Sequence, residues 1–115
     1  DSTVTYEVTL KAEELFEDIQ AIITYDADKL DSLGAVGVGR AFLFTGRENA
    51  RLHNTAEEAL NSPACSREDT AYREYLVKLS HLPEKMQTLP GKILAQQRKN
   101  FMQEFFDRLN EEFFN

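Results

Sequence analysis

One stripe of apolar side chains limits what this chain can fold into more than any other feature. Ile93, Leu94, Phe101, Met102, Phe105, Phe106, Leu109 and Phe113 recur at the spacings of a helix, not at the two-residue alternation of a half-buried strand. They predict a closing helix of about 25 residues, with its apolar side turned to a core. The start is marked as well: Thr88 can cap it, and Pro90 suits a first helical turn, where no backbone N–H is needed.

The same period runs through most of the chain. Ala12, Leu15, Phe16, Ile19, Ile22, Ile23, Leu30 and Leu33 predict a first amphipathic helix, with Gly34 as a stop, kink or packing point. "AVGVGRAFLF" then reads as a second, mostly buried helix ended by Thr45-Gly46. From Arg47 to Pro63 the chain reads as a long loop holding one turn of helix around "TAEEAL". Ser66 and Asp69 have the spacing of a capping box. Tyr72, Tyr75, Leu76, Leu79 and Leu82 predict a third helix, stopped by Pro83. Only the opening "TVTYEVTL" favours β-formers, and with no second strand to pair with it is expected to be an extended arm. The fold class is all-α.

Totals narrow the function. A chain of 115 residues holds one domain. A net charge of −7 opposes a general nucleic-acid binder, because phosphate affinity rests on clustered cations. It equally opposes docking on an anionic membrane, and the apolar runs fall far short of the about 20 residues needed to span one. The lone Cys65 has no partner for an internal disulfide, so a reducing, cytoplasmic setting is expected. The first residue is Asp rather than Met, as in a processed product, a fragment or a trimmed chain.

"TYDADKLDSLGAVGVGR", residues 24–40, concentrates the chemistry. On a helical wheel Asp26 falls inside the apolar stripe, whereas Asp28 shares the opposite face with Ala21, Thr24 and, if the helix continues, Ala35. Asp31 stands at the edge of that face. A carboxylate among small residues suits a hard divalent ion or a bound water; a solvated acidic helix end is the other reading. "GAVGVG" reverses the dinucleotide fingerprint and lacks the Lys-Ser/Thr ending of a P-loop, so its glycines are read as points of close helix approach. Arg40 directly follows them, with a planar fork able to hold a phosphate oxygen or to join a surface ion pair.

These residues carry a resemblance. "DADKLDSLGAVGVGRAF" resembles the segment "DADrLDaiGAiGiaRaF" of HD-superfamily phosphohydrolases, in the nucleotide pyrophosphohydrolase-like branch. The stretch "YLVKLSHLPEKMQTLPGKILAQQRKNFMQEFFDRLNEEF" is similar to that branch's C-terminal pattern, so the resemblance runs over about residues 16 to 114. It implies an orthogonal helical bundle corresponding to the C-terminal half of an HD domain. The activity implied is metal-dependent hydrolysis of a phosphoanhydride or phosphoester of a nucleotide or other phosphorylated small molecule. Manganese, or magnesium, cobalt, iron or nickel, is the implied ion.

Residue by residue, the resemblance implies Asp28 as metal ligand and Asp31 as a catalytic carboxylate behind it, with Arg40, Lys29 and Lys78 as substrate contacts. The family's His and His-Asp ligands have no counterpart here. His53 and His81 are not followed by Asp, and each is expected to be a surface residue. The remaining ligands are therefore expected from a missing N-terminal half or another chain, a homodimer is a further partner expectation, and no activity is expected of these residues alone. The alternative is a non-catalytic helical interaction module derived from the same fold. Phe101, Phe105, Phe106, Phe113 and Phe114 are either core or a docking patch.

Overall fold

The structure, a computed structural model, describes residues 2–114, with side chains for residue 9 and residues 11–114. Among these residues there are helices and loops and no strand. Helix α1 spans Ser2–Leu30, α2 Gly34–Arg47, α3 Ala56–Asn61 and α4 Ala71–Val77. A 3-10 turn, Leu79–His81, leads into the short α5, Leu82–Lys85, and then into α6, Leu89–Phe114. No helix among the described residues is long and apolar enough to cross a membrane.

The closing helix organises the rest. Gly91, Ala95, Met102 and Phe106 are its buried residues, and the core around them takes Leu33, Val38, Tyr72, Tyr75, Leu79 and Leu82 from the other elements. Phe106 is fully buried, with the rings of Tyr75 and Tyr72 at 5.1 and 5.2 Å, within the range of favourable aromatic contacts. The hydroxyl of Tyr75 donates to Gln103 Oε1 at 2.7 Å, so this core aromatic leaves no orphaned polar group.

Several sequence expectations need correction. The N-terminal segment is not an extended arm: α1 is helical from Ser2. An unpaired strand would leave its N–H and C=O groups without partners, and a helix joined to the helix-favouring run from Lys11 satisfies them internally. The third helix does not run to Pro83. It breaks at Lys78 (φ −130, ψ −62), and Pro83 instead lies in the first turn of α5, where its missing N–H costs nothing. Ser66 and Asp69 do not cap a helix together. Thr70 is the cap of α4, accepting from Arg73 N at 3.1 Å, while Asp69 pairs with Arg73. The capping box occurs instead at Thr55 and Glu58, where α3 starts. Helix α2 is less buried than expected, with Val36, Leu43 and Phe44 exposed.

His53 is the largest reversal. It is fully buried rather than on the surface, donating from Nε2 to Asn110 Oδ1 at 2.6 Å. Its ring lies among those of Tyr72, Phe106, Phe113 and Phe114, at 4.9 to 6.3 Å. It acts as one more aromatic plate, which explains where the last two phenylalanines of α6 pack. His81 is exposed, as expected.

Candidate functional site

The sequence brings α1 to a sharp end. Asp31, Ser32 and Leu33 form a turn held by Ser32 N to Lys29 O and Leu33 N to Leu30 O, both at 3.1 Å. Leu33, 1% exposed, pins that turn into the core. Gly34 then takes φ +76, a backbone state that side chains with a Cβ resist. The carbonyl of Leu30 also accepts from Arg98 Nη1 at 2.6 Å, a charge-assisted cap on a helix C-terminus. Gly37 has a different reason for being glycine: a Cβ there would run into the backbone carbonyl of Ser32. Gly39, by contrast, meets nothing within 4 Å, so the close approach belongs to Gly37 and not to every glycine of the motif. Gly37→Ala is expected to cost about 2 kcal/mol of unfolding free energy, since backbone cannot swing aside as a side chain can. A urea titration checks it, and an unchanged midpoint would contradict the close approach.

Packed this tightly, the start of α2 forms one wall of a cavity of about 270 Å³. Ser32, Gly37, Arg40, Ala41 and Phe44 line it from the turn and α2, and Glu74, Lys78 and Leu79 from α4 and the turn after it. Arg40 is oriented by a hydrogen bond from Nη1 to the carbonyl of Asp31 at 3.2 Å. Two cations 38 positions apart in sequence, Arg40 and Lys78, thus open on one space beside an aromatic ring and a hydroxyl. Convergent cations in a partly apolar cleft suit a phosphorylated ligand. Glu74 was not anticipated. It lies four residues before Lys78, a spacing that would have put both on one helix face. Burial pushes its carboxyl above the usual range and the Asp69 charge adds to this, against the lowering influence of Lys78 and Arg73.

The other expected site residues lie outside the cavity lining. Asp28 is exposed on α1. Lys29 holds its ammonium over the Tyr25 ring, 5.4 Å from the centroid, a cation–π contact. Asp31 reaches Arg40 through its backbone carbonyl, and its side chain is exposed. Asp26 is the buried acid, 4% exposed, as its place in the apolar stripe foretold. Its carboxylate accepts from Gln87 N (2.8 Å), Thr88 N (2.9 Å) and Thr88 Oγ1 (2.6 Å). Burial alone would raise this carboxyl; the bonds from Gln87 and Thr88, with the nearby Lys92 charge, outweigh it and hold the group below its ordinary range.

Among the described residues no three His, Cys, Asp or Glu side chains stand close enough to hold a metal ion. Hard divalent ions take six or more oxygen ligands, and catalytic zinc takes three protein ligands. A single exposed carboxylate at Asp28 does not by itself meet either requirement.

No protein-family model matches the chain. It is 34% identical over 94 residues to the uncharacterized protein YpgQ of Bacillus subtilis, covering 82% of this chain and 40% of that protein. It is similar to the crystal structure of YpgQ in complex with ADP, with a TM-score of 0.67, 31% identity, and coverage of 82% of this chain and 44% of the other. It is similar also to a crystal structure of an HD-superfamily hydrolase from Bacillus thuringiensis, with a TM-score of 0.68, 27% identity, and coverage of 83% and 46%. The chain spans less than half the length of these relatives.

Proposed function

Because this chain has the fold of the C-terminal half of an HD-superfamily hydrolase, we propose that it supplies the phosphate-holding wall of a nucleotide phosphohydrolase. The observation that carries this reading is the shared cavity of Arg40 and Lys78. The guanidinium and ammonium would grip phosphoryl oxygens and offset the charge that grows on them as a phosphoanhydride or phosphoester bond breaks. Ser32 would donate a hydrogen bond, and Phe44 would offer a flat apolar surface. The ADP bound by the similar YpgQ structure supports a nucleotide as the ligand class. A divalent ion belongs to this reading, with Asp28 as one of its ligands and the others supplied from outside these 115 residues.

The exposed apolar residues of α1 support that division. Leu15, Phe16, Ile19 and Ile23 are between 46% and 61% exposed, on the stripe that the sequence marks for burial. The rest of an HD fold is the proposed occupant, given relatives of which this chain covers less than half. The same surface favours the second reading, a non-catalytic interaction module. Hydrolysis separates the two: a full assembly that binds its partner but cuts no nucleotide would favour the module.

Titration calorimetry with ADP tests the pocket itself. Arg40→Ala or Lys78→Ala is expected to weaken ADP about 10- to 100-fold, the worth of one charge-assisted hydrogen bond. Both residues are exposed, so thermal stability should hold. Unchanged affinity in both variants would contradict the proposal.

A further inference from the structure

Glu74 has no role in the reading above, yet it lines the same cavity as the two cations. Its other neighbours include two acids. A second, small cavity shares Glu74 and Phe44 with the first, and its lining includes Asp69, Glu48 and Cys65. The charged groups around Glu74 are Arg40 from α2, Glu48 just after it, Asp69 from the loop before α4, Arg73 from α4 and Lys78 at its end. Arg73 is committed to Asp69 at 3.1 Å. Lys78 and, after it, Arg73 offset a charge on Glu74, while a hydrogen bond with the Asp69 side chain opposes that charge; Arg40 lines the same cavity.

A phosphorylated ligand changes this balance. It would draw Arg40 and Lys78 to its own oxygens and place negative charge in a cavity of about 270 Å³. Across so small a space the new charge stands within about 8 Å, one physiological screening length, of the carboxyl. Like charges at that range disfavour ionisation. Burial already disfavours the charged form in the free protein.

We infer that Glu74 is a further ligand-reading residue of the pocket: it takes up one proton from solvent as a phosphate group binds, and donates it in a hydrogen bond to a phosphoryl oxygen. The balance is simple: one proton leaves bulk water and resides on the carboxyl while the ligand stays, and no covalent bond of the ligand changes. The site then selects ligands that carry an acceptor oxygen opposite Glu74, and it binds them more tightly as pH falls. This inference rests on the Arg40–Lys78 pocket being the phosphate site.

ADP titrations of the protein at several pH values, each in two buffers of different ionisation heat, test it. Wild type should take up a proton on binding and Glu74→Gln should not. The ratio of wild-type to Glu74→Gln affinity should be near one at low pH and fall by up to about tenfold per pH unit as Glu74 ionises. The comparison cancels the titration of ADP itself, and Gln keeps the shape of the side chain. Equal proton uptake and a pH-independent ratio would overturn the role of Glu74, provided that Arg40→Ala or Lys78→Ala still weakens ADP. If Arg40→Ala and Lys78→Ala both leave ADP binding intact, the phosphate site itself is wrong and the Glu74 inference goes with it.

Discussion

Asp26→Ala is expected to lower the unfolding free energy by about 3 kcal/mol, the range for removing a charged partner of buried hydrogen bonds. The carboxylate sits at the start of α6 and accepts from two backbone N–H groups and one hydroxyl there. Thr88 Oγ1 is fixed in turn, because it also accepts from Gly91 N at 3.0 Å. Gly91 leaves the room: a Cβ there would collide with the Asp26 carboxylate. One side chain of α1 thus positions the first turn of the helix around which the core is built. Alanine would leave buried donors unpaired and a negative charge missing from a helix N-terminus.

The pH dependence has a definite sign. The folded carboxyl lies below its ordinary value, so its stabilising effect is complete above the unfolded value of about 4. It is lost as pH falls through the lower, folded value. Wild type and Asp26→Ala should therefore converge in acid and diverge above pH 5. Urea unfolding at pH 7 and at acid pH would show this, and a difference under 1 kcal/mol at pH 7 would mean that the contact carries little stability.

The second large effect concerns Asp28. Manganese titrated into these 115 residues alone should bind no tighter than about millimolar, the weak end of carboxylate sites. No nucleotide should be hydrolysed. In an assembly that brings imidazole ligands to α1, Asp28→Ala should cut turnover by more than the 10- to 100-fold typical of losing a group behind the ligands. Asp28 is exposed, so its removal should leave the melting temperature nearly unchanged, opposite to Asp26→Ala. Turnover by the isolated chain would show that ligands beyond Asp28 are not needed.

The contrast between these two aspartates shows what the sequence could tell. They are two positions apart, so helix geometry turns them by about 200° from one another. The wheel put Asp26 on the apolar side and Asp28 on the opposite, small-residue face; the structure buries Asp26 and exposes Asp28. The stripe of α6 and its Thr88–Pro90 start were legible for the same reason, because local period and cap chemistry act within a few residues. Burial of His53 was not legible. It depends on Asn110 and Phe113, which reach it from the far end of the chain. Nor could spacing bring Arg40 to Lys78, which came from family resemblance and from the break after Val77 that ends α4 beside α2. The apolar face of α1 was legible as apolar, yet among the described residues Leu15, Phe16, Ile19 and Ile23 stay exposed.

Everything functional in this account depends on ADP entering the cleft between α2 and α4. A proton–nitrogen correlation spectrum of the labelled chain, recorded while ADP is added, tests this residue by residue. The expected result is a cluster of saturable shifts at Ser32, Gly37, Arg40, Ala41 and Lys78, with the amides around His53 and Asn110 unmoved. Shifts confined to the His53 end of the molecule, or no saturable shifts at millimolar ADP, would contradict it.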